Sequence, residues 1–499
     1  RPRLLACAWL AAAYALRRWL QRRKFARLPT ASCMKQHWIL GHFGHVLMHC
    51  GRVPKTNNRP DLMPLWVQAA EDTRKEGFFY LSVFHWLVPV WRNMVIVHDV
   101  DLIKKVLSKE SWGLYRKGRS YNIASDLIGS HSLLAEPDSE LWRRQRRIFS
   151  AAFRREFFDR VLAPSVKQAV ATMTSRWEQG RVVQFYDDAL ELTIGVLGRF
   201  AFGTDFEGPR LRQAFTCVLQ RMTTFGRNPL VFLLRRLPTP RNRRYWEALG
   251  AIEAAVQSSI DRRRGQEGEA EDDLVGQVLK AAEAEGGALG SSLVRENLQT
   301  FLFAGHDTTA SALSWAVYLL ATHGAAEARL LEELRAAGPE PRCGDLDRLP
   351  YLEAVVKETL RLYPSAGFTR EPYADVELGK YVLPRGVEVF IFPYITHRNE
   401  KVFPDVLRFN PERWLGPQVA APESIGWMPF SLGLRNCIGS QLAKLEIKLA
   451  LYHLLTRYSF SVPEDPDGPP RATLYMTLVP NAVPILPSLR DPAPVPGST

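Results

Sequence analysis

Phe430-Ser431-Leu432-Gly433-Leu434-Arg435-Asn436-Cys437-Ile438-Gly439 is the stretch on which the reading of this chain turns. A single cysteine sits between two glycines, behind a phenylalanine and an arginine, and a helical run follows from Gln441 to Leu449. A metal-ligating thiolate needs positive potential nearby to stay deprotonated. It also needs an apolar shell and backbone N–H groups turned toward the sulfur. Arg435 supplies a cation and Phe430 a shield, while Gly433 and Gly439 let the backbone come close or adopt φ > 0. Cys437 lies just ahead of a helix N-terminus, where the dipole favours a thiolate. The plain alternative is a small buried cysteine bordered by glycines.

The pattern FxxGxRxCxG resembles the ligand loop of the cytochrome P-450 family at every fixed position. The resemblance implies that Cys437 binds the iron of haem b (iron protoporphyrin IX) and that Arg435 reaches a haem propionate. It implies a mainly α fold with a smaller β portion: a helix-rich haem domain, a long central helix over the haem, and small β-sheets.

Working outward, Leu293 to Ala321 is a long apolar helical run with Ala304-Gly305-His306-Asp307-Thr308-Thr309 near its middle. Polar groups at that depth are costly in lipid, so the run reads as a core helix rather than a membrane span. Ala304 and Gly305 are small enough to let the helix approach a haem and leave space for O2. Thr308 can bond a carbonyl one turn back and bend the helix, and its hydroxyl, with Asp307 behind it, suits proton relay. A polar kink in a core helix is the plainer reading. The segment is similar to the family's AGxDTT motif, whose acid and threonine map to Asp307 and Thr308.

Glu358 and Arg361 fall three apart on one helix and can pair. They resemble the family's ExxR, and Phe409 to Trp414 resembles its PERF segment. The likeness implies a structural Glu358–Arg361–Arg413 network behind the cysteine loop. Trp142 to Arg146 resembles the WxxxR helix, and Arg370 matches a further propionate arginine. Trp142, Arg146 and Arg370 are therefore expected at the haem carboxylates, which arginine clamps well.

The rest of the chain bounds this reading. It has 499 residues, 46% of them apolar, so a large core is available. No composition break or repeat divides it. Residues 1–30 read as a membrane-anchor remnant and linker, 31–485 as one haem-thiolate catalytic domain, and 486–499 as a flexible tail; proline enrichment begins at Pro484. The apolar run Leu4 to Leu16, flanked by Arg17, Arg18, Arg22, Arg23 and Lys24, is too short to span a bilayer alone. A truncated anchor, an interfacial helix and a transit peptide all fit. The expectation is membrane association, at the endoplasmic reticulum or, as alternatives, a plastid or mitochondrion. Net charge is +13, with 65 basic and 52 acidic residues. No nucleic-acid motif accompanies the surplus, which points to a membrane surface or an acidic protein partner. The six cysteines are widely spread, which argues against a disulfide scaffold or a structural zinc site. His37, His42, His45 and His49 crowd one stretch but match no ligand spacing.

Phe78 to Val97 reads as strands, Asp99 to about Arg370 as helical, and the remainder as mixed, with a turn at Pro384-Arg385-Gly386 between two β runs. Arg262 to Asp273 reads as a solvated loop. His37 to His42 and the long helix resemble the family's microsomal fatty-acid hydroxylase branch. Ala304 stands where that branch often carries a haem-esterifying Glu, so that link cannot form here.

The resemblance implies a monooxygenase that oxidises a small apolar substrate with O2 and with NADPH electrons, delivered by a cytochrome reductase or a ferredoxin-type donor. Substrate contacts are expected from Ala304, Thr308 and Thr309, from Tyr115 to Leu134, and from Phe215 to Leu237. Arg143, Arg144, Arg147, Lys444 and Lys448 form a candidate docking face. Two other classes compete: an isomerase or dehydratase of hydroperoxides, which needs no proton relay, and a non-catalytic haem carrier.

Overall fold

The computed structural model describes residues 25, 27–32, 55–56, 59–60, 63–81 and 93–491, less 138, 152, 154–156, 204–208, 228, 266–272, 285, 287–289, 417–425, 465–467 and 475. The apolar run at the N-terminus and the histidine-rich stretch lie outside the described residues.

The elements that build the site are, in chain order, β1 (Phe78–Leu81), β2 (Met94–Val97), β3 (Tyr115–Lys117), α1 (Glu140–Ala151), α2 (Phe185–Phe202), α3 (Pro209–Arg227), α4 (Pro240–Gly265), α5 (Ser291–Thr322), α6 (Pro350–Leu362), β4 (Phe368–Pro372), β5 (Glu388–Ile391), α7 (Ser440–Leu455), β6 (Tyr458–Ser461) and β7 (Pro484–Leu489). Helices dominate, as the mainly α reading predicts. A five-stranded sheet runs β1-β2-β5-β4-β3, with β2 and β5 parallel and the other neighbours antiparallel. Phe25 and Leu28 are buried against this sheet: Phe25 stacks on Tyr80 with ring centroids 5.1 Å apart, and the Tyr80 N–H donates to Pro29 O. The stretch expected to be a linker therefore already packs on the domain.

The 32 residues of α5 extend about 48 Å at 1.5 Å per residue. Val294, Leu298, Leu302, Leu313, Val317 and Leu320 are buried along it, and a helix buried on most sides is a core helix. Among the described residues, no helix is long and apolar enough to cross a membrane.

Pro384-Arg385-Gly386 does form a turn between two β runs, while two other local readings change. The two runs at the turn do not pair with each other. Tyr381–Leu383 pairs with Val376–Leu378, whereas β5 joins the large sheet. The Arg262–Asp273 stretch is not wholly solvated: α4 runs on to Gly265, and Arg263 Nη2 lies 2.5 Å from the fully buried carboxylate of Asp273. Asp273 also accepts the Gly276 N–H at 2.8 Å, capping the helix Leu274–Ala284. The charges in this stretch are thus partly structural. Finally, the chain beyond Pro484 does not fray at once. β7 pairs with β6 and with Val183–Gln184. Val483 and Ile485 are fully buried, worth roughly 1.5–3 kcal/mol each, which outweighs the missing proline N–H donors.

Candidate active site around Cys437

The cysteine loop is held from several directions. The Cys437 N–H donates to Phe430 O at 2.8 Å, closing the loop on itself. Gly433 has φ +70°, and a Cβ there would lie 2.2 Å from the carbonyl oxygen of Leu107, so only glycine fits. Gly439 has an ordinary φ of −87°, and a Cβ there would meet no protein atom within 4 Å. Its smallness serves the cavity it lines, not a turn. Ser431 takes φ +62°, an uncommon conformation for a residue with a side chain. The sulfur of Cys437 is enclosed by protein, but its exposed surface opens into this cavity. Burial pushes the thiol up from its ordinary range, and the Gly439 backbone N–H, Arg146 and Lys117 pull less strongly the other way. Local positive potential is present as expected, yet by itself it does not deprotonate the sulfur; a bound metal cation would.

Behind the loop, Glu358 and Arg361 are fully buried and doubly hydrogen-bonded, at 2.8 and 2.9 Å. Arg413 Nε, Asn410 N and Trp414 Nε1 also donate to Glu358. Arg361 donates further to the carbonyls of His397, Val406 and Arg408. His397, which sequence reasoning missed, completes the frame. Its Nδ1 pairs with Arg361 O at 3.2 Å and its Nε2 accepts the Met428 N–H at 2.9 Å. That pattern needs the neutral ring. Burial, with Arg361 close by, lowers its pKa to about 3. His397 thus ties α6 directly to the start of the cysteine loop.

One cavity, with a free volume of about 320 Å³, joins the predicted residues. Cys437, Arg435, Trp142, Arg146, Arg370, Phe430, Gly439, Ala304, Gly305 and Thr308 all line it, whereas Gly433, expected beside them, does not. Arg435 stacks over the Trp142 ring at 3.9 Å and donates to Glu136 O at 2.9 Å. Arg146 grips Asn436 through its carbonyl O and Oδ1, at 2.8 and 2.7 Å. Arg370 sits on β4 and bonds Thr369 O. Lys117 and Tyr121 join this group, with Lys117 Nζ 4.2 Å from the Tyr121 ring centre. The sequence carried no motif for them beyond their place in the stretch already expected to meet substrate.

On α5, Thr308 Oγ1 donates to Ala304 O at 2.7 Å, as its position predicts. Gly305 is needed for packing as well as access: a Cβ there would come within 3.1 Å of Leu197 on α2. Asp307 does not line the cavity. Tyr186 OH donates to its Oδ1 at 2.5 Å and Thr477 Oγ1 to its Oδ2. Neither partner was foreseen.

A family model described as Cytochrome P-450 matches residues 72–485. The chain is 32% identical over 384 residues to "Pentalenene oxygenase" of Streptomyces avermitilis, covering 75% of this chain and 84% of that one. It is 32% identical over 419 residues to "Cytochrome P-450 734A1" of Arabidopsis thaliana, covering 79% and 78%. The chain belongs to the cytochrome P-450 family. The crystal structure of the cytochrome P-450DA heme domain superimposes with a TM-score of 0.78 at 24% identity, over 93% of this chain and 98% of that one, which shows the shared fold.

Cytochromes P-450 are oxidoreductases of the monooxygenase class that bind haem b, and this P-450 has the residues for it. Its cavity offers one thiol, that of Cys437, and four cations, Lys117, Arg146, Arg370 and Arg435, suited to two propionates. The lone carboxylic acid among the described lining residues is Glu446 on α7. It is buried, its Oε1 has no hydrogen-bond partner, and burial raises its pKa to about 8. Two expectations fail. Lys448 is buried and pairs with Asp347 and Glu353, at 2.9 and 2.8 Å, and Lys444 pairs with Glu353 at 3.2 Å. Lys448 is therefore not available as a docking charge, whereas the Lys444 side chain remains 28% exposed. The described side chains of Phe215–Leu237 contribute nothing to the cavity. Phe215, Val218, Met222 and Phe225 are instead buried in the main core.

Proposed function

We propose that this P-450 inserts one oxygen atom of O2 into a C–H bond of a small apolar molecule: a lipid, fatty acid, sterol or terpenoid. The electrons are proposed to come from NADPH through a reductase or a ferredoxin-type donor. The supporting observation is the lining of the cavity. Away from its cations it is built from Leu133, Leu134, Leu197, Phe200, Phe301 and Leu302, a wall that selects by shape and apolar contact. A relative named for oxygenating pentalenene fits that range.

When bound, haem b supplies dioxygen activation at an iron made electron-rich by thiolate ligation. The protein's own residues have separate tasks. Cys437 provides the ligand; Lys117, Arg146, Arg370 and Arg435, with Trp142, hold the carboxylates; Phe430 shields the sulfur. Asp307 and Thr308 are the proposed proton-handling groups beside the substrate space. The paired, hydroxyl-contacted state of Asp307 favours a monooxygenase over an oxygen-independent isomerase of hydroperoxides.

Membrane contact belongs to the same proposal. Leu233, Leu234, Leu237 and Trp246 are exposed together around the turn that leads into α4, with Arg236, Arg241, Arg243 and Arg244 nearby in sequence. Apolar side chains beside cations suit an anionic lipid surface. Exposed Arg143 and Arg147 on α1 remain for an acidic donor protein.

The test is spectroscopic. The reduced CO complex should absorb where thiolate-ligated haem does, and Cys437→His should abolish that band. Survival of the band in the variant would place the ligand elsewhere. A panel of fatty acids, sterols and terpenoids, scored by spin-state shift, then ranks substrates.

A further inference from the structure

We propose that Asn297 on α5 and Gln145 on α1 decide which apolar shapes the cavity admits, by pinning residues 128–136 so that Leu133 and Leu134 stand as one of its walls. Both are positioning residues, since neither lines the cavity itself. The proposal rests on the reading of this cavity as the haem and substrate space, and names what sets its selectivity.

Residues 129–136 form no helix or strand, and beyond a few turn hydrogen bonds their backbone is met by side chains from three other elements. From α5, Glu296 Oε2 accepts the His131 N–H at 3.1 Å and Asn297 Oδ1 accepts the Leu133 N–H at 2.7 Å. From α1, Gln145 Nε2 donates to His131 O at 2.9 Å. From the cysteine loop, Arg435 Nη2 donates to Glu136 O at 2.9 Å. Asn297 joins the first two supports, because its Nδ2 donates to Gln145 Oε1 at 2.7 Å and to Leu293 O at 2.8 Å. Both of its N–H groups and its oxygen are therefore engaged, and both amide side chains are fully buried.

The segment lies tight against α5. Gly129 has φ +72°, and a Cβ there would come 2.1 Å from Glu296 Cδ, so the backbone has no slack on that side. Leu133 lines the cavity and is buried, yet it stands outside the main apolar core. The bond at its own amide, more than packing, sets how far it enters. A buried N–H stripped of its acceptor is costly, so removing Asn297 releases the wall rather than leaving it in place. With the pin gone, Leu133 and Leu134 draw back and bulky apolar molecules gain room, while a small ligand finds its site unchanged.

Two measurements on the haem-loaded protein test this without knowledge of the natural substrate. In the first, imidazole and 1-tritylimidazole, the same ring carrying a bulky apolar group, are titrated against the haem absorbance. Asn297→Ala should tighten 1-tritylimidazole about tenfold or more while imidazole stays within about twofold of the parent. Gln145→Ala should act in the same direction. In the second, hydrogen exchange is followed on the peptide spanning residues 128–136. It should be protected in the parent and exchange about tenfold faster in Asn297→Ala, with cysteine-loop peptides unchanged. If imidazole binds but the ratio of the two Kd values is the same in Asn297→Ala as in the parent, the role assigned to Asn297 and Gln145 is lost. A Leu133 amide that exchanges as freely as an exposed loop in the parent overturns it too, whether or not a variant folds. If imidazole produces no shift in the parent, the underlying reading of the cavity fails as well.

Discussion

Glu358 and Glu446 are the same side chain on two helices that pack together, α6 and α7, and both are almost completely shielded from solvent. Glu358 accepts hydrogen bonds from Arg361, Arg413, Asn410 and Trp414. Glu446 has one oxygen with no partner, and its pKa is pushed up to about 8 by burial alone. The difference teaches that burial does not set the state of a carboxyl; the donors facing it do. Around Glu358 the protein has built a charged frame for a loop. Around Glu446 it has left a neutral acid in the wall of a cavity, where a charge would be poorly solvated.

The largest test of that contrast is Glu358→Ala. It leaves Arg361 wholly buried without its carboxylate, which should cost about 3–5 kcal/mol, much of the stability of an ordinary domain. Denaturant unfolding measures it, and a cost below about 1 kcal/mol would erase the distinction between the two glutamates.

Next comes Glu446→Gln. Unfolded, this acid ionises from about 4.5; folded, it keeps its proton to about 8. Stability is therefore fully present below pH 4.5 and drains away as pH rises toward 8, by about 1.4 kcal/mol for each unit between those values. The glutamine variant should lack this slope, matching the parent at pH 4.5 and exceeding it by about 2–3 kcal/mol at pH 6.5. Parallel melting curves across that range would mean that Glu446 is ionised after all.

The smallest effect expected is that of His397→Ala, which orphans the Met428 N–H and the Arg361 carbonyl at a cost of about 1–3 kcal/mol. Because the folded pKa is depressed to about 3, the imidazole's contribution is present above pH 6.5 and lost as pH falls from there toward 3. The deficit of the variant should therefore shrink on acidification. A pH-independent deficit would mean that the ring serves only as filler.

What the sequence revealed was local. The cysteine loop, the Glu358–Arg361 spacing and the helix around Asp307 each lie within a few residues, so their geometry follows from helical period and glycine placement. What stayed hidden is long-range. Tyr186 and Thr477 meet Asp307 from 121 and 170 residues away, and no periodicity announces a contact between a helix start and a loop near the C-terminus. Lys448 failed for the opposite reason. A lysine in a helical run reads as surface by default, and the Asp347 carboxylate that draws it inward lies 101 residues earlier. Glu446 was passed over because an acid on an amphipathic helix is ordinarily solvated.

The frame behind Cys437 has one more consequence. Arg361 and Arg413 reach for main-chain oxygens at His397, Val406, Arg408 and Pro404, atoms that every amino acid possesses. The side chain at an exposed position such as Arg408 can therefore drift through generations of mutation without moving the sulfur, so long as the chain keeps its path. Evolution is left free to redraw that outer surface for new partners while the reaction centre stays where it was.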